Sequence, residues 1–135
     1  MSDHALCPFS KPIIGQFCQC EHAVLSERCS GKMNCRRDAD LLESCHELAD
    51  EFLLKAHFVL SISSNEEELT HAQVMKVRCG GLKGMQRVLG IDAQAVPAVR
   101  EVIKSATEQY GSLLDFPFNE VMPDIQSFSH RGKRK

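Results

Sequence analysis

Six of the chain's seven cysteines, Cys7, Cys18, Cys20, Cys29, Cys35 and Cys45, fall within its first third, and only Cys79 stands apart. Cysteines that merely fill gaps in a core scatter along helices and strands. Here the stretch from Cys7 to Cys35 also holds Pro8, Pro12, Gly15, Ser30, Gly31 and Asn34, residue types that punctuate loops. Proline further biases Cys7 and Lys11, the residues before Pro8 and Pro12, toward extended backbone. Ordering such a stretch costs roughly 1–2 kcal/mol per residue in backbone entropy. The apolar side chains at hand (Phe9, Ile13, Ile14, Phe17, Val24 and Leu25) are too few to offset that cost. A metal bound through several thiolates offsets it, because forming the site contributes directly to folding. Residues 1–35 are therefore expected to be an irregular, cysteine-rich, metal-binding loop region.

The spacing says how such a site would close. In extended backbone residues i and i+2 share a face, so Cys18 and Cys20 can offer both sulfurs to one centre. A disulfide between them would be strained. Cys7 lies eleven positions before Cys18 and precedes Pro8; a Cys-Pro step is familiar at iron–sulfur ligands. Ile13, Ile14 and Phe17 would shield the centre from water. Cys35 is expected at the mouth of the first clear helix, where N–H groups favour a thiolate. Cys45 falls inside that helix at the spacing of its apolar stripe, as a core thiol or as a ligand beneath the helix. The candidate ligands are thus Cys7, Cys18, Cys20, Cys35 and Cys45. Cys29 sits in a polar loop and is the first to be set aside. Cys79, before Gly80-Gly81, reads as packing, with a contact to the N-terminal loop as its alternative. His22 is expected at the surface.

An iron–sulfur cluster is the expected cofactor and zinc the alternative. Zinc sites normally show paired C-x₂₋₄-C or H-x₃₋₅-H knuckles, and the chain has neither. The expected function is a small iron–sulfur protein that passes electrons or senses redox state. A zinc-stabilised interaction module and a thiol redox switch, the latter using Cys29 and Cys35, are the other readings. No thioredoxin-type Cys-x-x-Cys, nucleophile elbow, His-Glu-x-x-His or phosphate-binding loop occurs, so no independent catalytic activity is expected.

From Arg36 onward the pattern is helical. Leu41, Leu42, Cys45, Leu48, Ala49, Phe52, Leu53 and Ala56 form one apolar stripe. The opposite, mostly acidic face reads as solvated, with docking of a basic redox partner as the alternative. Phe58 to Ile62 either extends that helix or forms a short strand. A second helix fits Leu69 to Cys79. The glycines that follow either break it at Gly80 or let another backbone approach closely. A third helix is predicted over Pro97–Tyr110, stopped by Gly111, and a short one around Asn119–Phe128. No alternating strand pattern or Asn-Gly turn is present. The fold class is mainly α: a single domain with a small helical bundle over residues 36–128 and a basic tail at 129–135.

With 43% apolar and 25% charged residues and a formal charge of −2, the chain has a globular composition. It makes no whole-molecule demand for a polyanion, and nucleic acid is not an expected partner. No apolar run approaches the ~20 residues of a membrane span. The first seventeen residues lack the pattern of a secretory signal. A cytoplasmic location is expected, where thiols stay reduced or bind metal, with a protein redox or assembly partner.

Overall fold

The computed structural model describes residues 7–20, 23–25, 33–35, 39–91 and 96–128. Cys29, His22 and the basic tail at 129–135 lie outside the described residues. Five helices carry the fold: α1 (Ser10–Ile14), α2 (Ala39–Leu60), α3 (His71–Leu89), α4 (Val99–Tyr110) and α5 (Met122–Ser127). A two-stranded antiparallel ladder joins β1 (Ala23–Leu25) to β2 (Met33–Cys35), pairing Ala23 with Cys35. Helix α3 is the hub, packed against α1, α2, α4 and α5, with α5 its most extensive neighbour. The mainly helical bundle expected from periodicity is the architecture observed.

Helix α2 buries Cys45, Leu48, Ala49, Phe52, Leu53 and Ala56 of the expected stripe, the side chains of Leu41 and Leu42 lying outside those described, while Glu43, His46, Glu47 and Asp50 face solvent. Each large apolar side chain so buried contributes about 1.5–3 kcal/mol. Phe58 and Val59 extend the helix rather than forming a strand. It ends where Ser61 turns to φ 58°, and the Nδ1–H tautomer of His57 donates to the Ile62 carbonyl at 2.6 Å. On α4, Val99, Val102, Ile103 and Ala106 are buried, and Tyr110 meets Phe116 edge-on with centroids 5.4 Å apart.

Helix α3 departs from expectation by running ten residues past Cys79. It opens on a capping box, in which Thr70 Oγ1 accepts from the Gln73 N–H at 3.1 Å and Gln73 Oε1 accepts from the Thr70 N–H at 2.9 Å. It closes on Gly90 at φ 81°, with the Ile91 N–H donating to the Gln86 carbonyl. The helix is not broken at Gly80. A methyl there would lie 2.7 Å from the Ile125 Cα, one at Gly84 2.6 Å from the Val121 Cβ, and one at Gly81 2.6 Å from the Phe52 ring. The glycines let α5 and Phe52 approach α3, and the packing gained offsets their helix cost of about 1 kcal/mol each. Arg87 then ties α3 to α5 through Asp124, at 2.6 and 3.2 Å, and through the Glu120 carbonyl.

The N-terminal region also holds more regular structure than its composition suggested. Pro12 is tolerated in α1 because it sits in the first turn, where no intrahelical N–H bond is needed. The strands of the ladder are three residues long, too short for a period-two pattern to register. Cys35 ends β2, and α2 begins only at Ala39, so Cys35 does not occupy the helix mouth expected of it. No helix among the described residues is long and apolar enough to cross a membrane.

Candidate metal centre

The chain enters the bundle at Cys7. The Cys7 carbonyl accepts from the Ser10 N–H at 3.1 Å and from the Ser10 hydroxyl at 2.6 Å, which starts α1. The Cys7 sulfur accepts the Phe9 N–H at 3.4 Å. Phe9 is fully buried beneath the Arg78 guanidinium, 5.9 Å from its ring centroid, and Arg78 donates to the Pro8 carbonyl. The arm is thereby fastened to α3 one residue from Cys79.

After α1 the chain reverses through Gln16 at φ 69° and runs past the entry of α4. There the Gln19 N–H donates to the Pro97 carbonyl, and the Gln19 carbonyl accepts from the Val99 N–H, both at 2.9 Å. This one-residue parallel bridge holds Cys18 and Cys20, on either side of Gln19, against the start of α4. Cys18 is 2% exposed and Cys20 half-buried. Cys45 reaches the core from α2 at 4% exposure, and Cys79 from α3 at 1%. All five are thiols, with no disulfide among them.

These thiols share one neighbourhood, centred on Cys18. Burial raises the Cys18 thiol strongly, and the charges that Cys79, Cys7, Cys20 and Cys45 would carry all raise it further. Cys79 is pushed up to about 12 by burial, against the pull of the Arg78 guanidinium. Sulfur from three separate parts of the chain (the arm, α2 and α3) thus converges within electrostatic reach of one buried atom. As bare thiols, Cys18 and Cys79 stay protonated at neutral pH and are poor nucleophiles. A bound cation reverses that balance, because ligation removes the thiol proton outright. Among the described residues no three His, Cys, Asp or Glu side chains already stand together at metal-holding positions.

Of the sequence candidates, Cys7, Cys20 and Cys45 lie within electrostatic reach of Cys18, without standing at metal-holding positions. Cys35 pairs with Ala23 in the two-stranded ladder. Cys79 lies within electrostatic reach of Cys18. Sequence reasoning read it first as packing, from its place before Gly80-Gly81. The extended α3 shows its signal, since Cys79 follows buried Met75 by four residues and precedes buried Leu82 by three.

Two cations adjoin the sulfurs. Arg78 is next to Cys79 along α3, and Arg100, in the first turn of α4, brings Nη1 to 3.8 Å from the Cys45 sulfur. A groove of about 320 Å³, lined by Gln19, Cys20, Ala98, Arg100 and Glu101, opens beside Cys20. A larger cavity of about 520 Å³ between α3 and α4 has no cysteine in its lining. Comparison of the chain with family models, with curated proteins and with solved structures found no match.

Proposed function

We propose that this protein holds an iron–sulfur cluster in the thiol group around Cys18 and uses it to transfer single electrons or to report redox state to a protein partner. The ligands are drawn from Cys7, Cys18, Cys20, Cys35 and Cys45, with Cys79 as a sixth member of the set. The observation that supports the reading is that four other cysteines lie within electrostatic reach of buried Cys18. Metal ligation would draw on this grouping, because it removes the thiol protons that burial otherwise keeps in place. The Cys7-Pro8 step, the N–H bond to the Cys7 sulfur and the surrounding apolar side chains are features that suit a cluster and set its potential. An all-sulfur donor set without zinc knuckles favours iron–sulfur chemistry over zinc.

The test is anaerobic reconstitution with ferrous iron and sulfide, on the wild-type chain and on variants in which Cys7, Cys18, Cys20, Cys35, Cys45 or Cys79 is singly replaced by serine. The expected outcome is a visible charge-transfer spectrum that is lost in C18S. A spectrum indifferent to every replacement would refute the assignment. Stoichiometric zinc in its place, released by chelator with unfolding, would make the site structural and remove the redox role.

A further inference from the structure

Independently of what the thiols hold, we propose that the outer face of α2 docks a basic amphipathic helix of a partner protein, with Phe58 and Leu54 as its apolar anchors. Among the described residues six large apolar side chains are exposed, and three of them, Leu54, Phe58 and Val59, lie in the last two turns of α2. Leu54 and Phe58 are one turn apart and share a face. Phe58 is 74% exposed, and its ring meets the edge of the His57 imidazole with centroids 5.1 Å apart. A single exposed apolar side chain is ordinary, whereas a group of them rimmed by charge marks a contact surface.

The charge on this face selects the partner. Glu43, Glu47 and Asp50, all exposed, precede Leu54 and Phe58 at steps of three or four residues. The five therefore lie along one side of the helix, over about 22 Å. Beyond the helix the chain turns at Ser61 and reaches Glu67 and Glu68, which are exposed as well. From Glu43 to Thr70 the chain places seven of its eighteen acidic residues and one of its sixteen lysines and arginines, although its formal charge is only −2. Negative charge is thus concentrated in the segment that carries the apolar patch. Such a field attracts and orients a basic surface.

The occupant that fits is a helix with apolar side chains one turn apart and lysine or arginine on the adjoining turns. Helix against helix seats the Leu54–Phe58 pair between the ridges of its neighbour, and a buried aromatic anchor carries a large share of binding. The same charge disfavours other occupants. A second copy paired through this face would bring two acidic segments together. Nucleic acid and anionic bilayers would be repelled.

The experiment is fluorescence anisotropy of the full chain with a labelled synthetic helix of leucine, alanine and lysine. Two control helices carry glutamate in place of lysine, or serine in place of leucine. Wild type is expected to bind the first helix and neither control. F58A and L54A are each expected to weaken binding about tenfold. E47Q combined with D50Q should weaken it about fivefold and flatten its salt dependence. Because the Phe58 ring is exposed, F58A should melt as wild type does. Absence of binding to the first helix, equal binding of the serine control, or binding indifferent to F58A and L54A overturns the proposal. A concentration-dependent dimer that F58A abolishes also overturns it, since the face then pairs with a second copy. So does a lowered melting temperature in F58A, which would show that the fold itself holds the ring.

Discussion

Arg78 donates to the carbonyl of Pro8, joining the centre of α3 to the arm seventy residues earlier in the chain. The contact does two things at once: it presses Phe9 into the core, and it sets Cys7 down beside the helix that carries Cys79. A charged, buried hydrogen bond of this kind is worth about 1.5–3 kcal/mol. Arg78→Met should therefore cost about 2 kcal/mol in urea unfolding and make Cys7 react faster with an alkylating reagent. Unchanged stability and unchanged Cys7 reactivity would show that the arm is held by other contacts.

The glycines of α3 make a contrast that separates packing from backbone freedom. At Gly80 an added methyl meets the Ile125 backbone, which cannot move without displacing α5, so Gly80→Ala should destabilise by about 3 kcal/mol. At Gly90 nothing lies within 4 Å of an added methyl, and the cost comes only from φ 81°, about 1 kcal/mol. Thermal or urea unfolding of the two variants measures the difference. Equal losses would mean that α5 is not seated against Gly80.

Metal-free protein should be sensitive to alkali. Cys79 stays protonated in the folded chain up to about 12, and burial together with the surrounding thiolates also raises Cys18, whereas both ionise near the ordinary value of 9.0 once unfolded. The unfolded state then binds fewer protons than the native state, so stability is intact below pH 9 and falls as pH rises toward 12. The folding equilibrium should weaken by up to about tenfold per pH unit for each such thiol. Urea midpoints of the metal-free protein between pH 8 and 11 test this, and Cys79→Ala should flatten the slope. With a metal bound the sign inverts, because ligation releases thiol protons and higher pH favours it.

Cys45 and Cys79 answer whether buried sulfur here is packing or ligand. As core atoms each is nearly replaceable by alanine, at a cost of about 1 kcal/mol for the small cavity left behind. As ligands their removal should leave the metal-free fold near wild type while reducing bound iron by at least half. Iron assay beside chemical unfolding of Cys45→Ala and Cys79→Ala distinguishes the two roles. Full iron retention in both variants would return these residues to the core.

Much of this fold was legible before any coordinates. The stripes of α2 and α4 follow the helical period closely enough that their buried positions could be named one by one. For the second half of α3 the sequence left two readings of Gly80, Gly81 and Gly84, a break or a close approach of another backbone, and the close approach is the one observed. The reason to tolerate them is Ile125, Val121 and Phe52, which are remote in sequence. That Cys7 and Cys20 lie within electrostatic reach of Cys18 accords with their clustering in the sequence, though no three side chains there stand at metal-holding positions among the described residues. Cys79 was read first as packing, with a contact to the N-terminal loop as its alternative. Arg78 and Arg100 gave no sign at all, since a basic residue on a helix is ordinarily a solvated one. Their meaning depends on where the Gln19 bridge and the Pro8 carbonyl fall in space.

The central claim is that sulfur converging on Cys18 holds inorganic iron and sulfide. The most direct measurement is the iron and acid-labile sulfide content of the untagged chain, purified under strict exclusion of oxygen, with its visible spectrum recorded before and after dithionite. The account predicts a coloured protein containing iron and sulfide in comparable amounts, whose absorption bleaches on reduction. A colourless protein that lacks both, and that titrates as fully accessible thiols when unfolded, would contradict it.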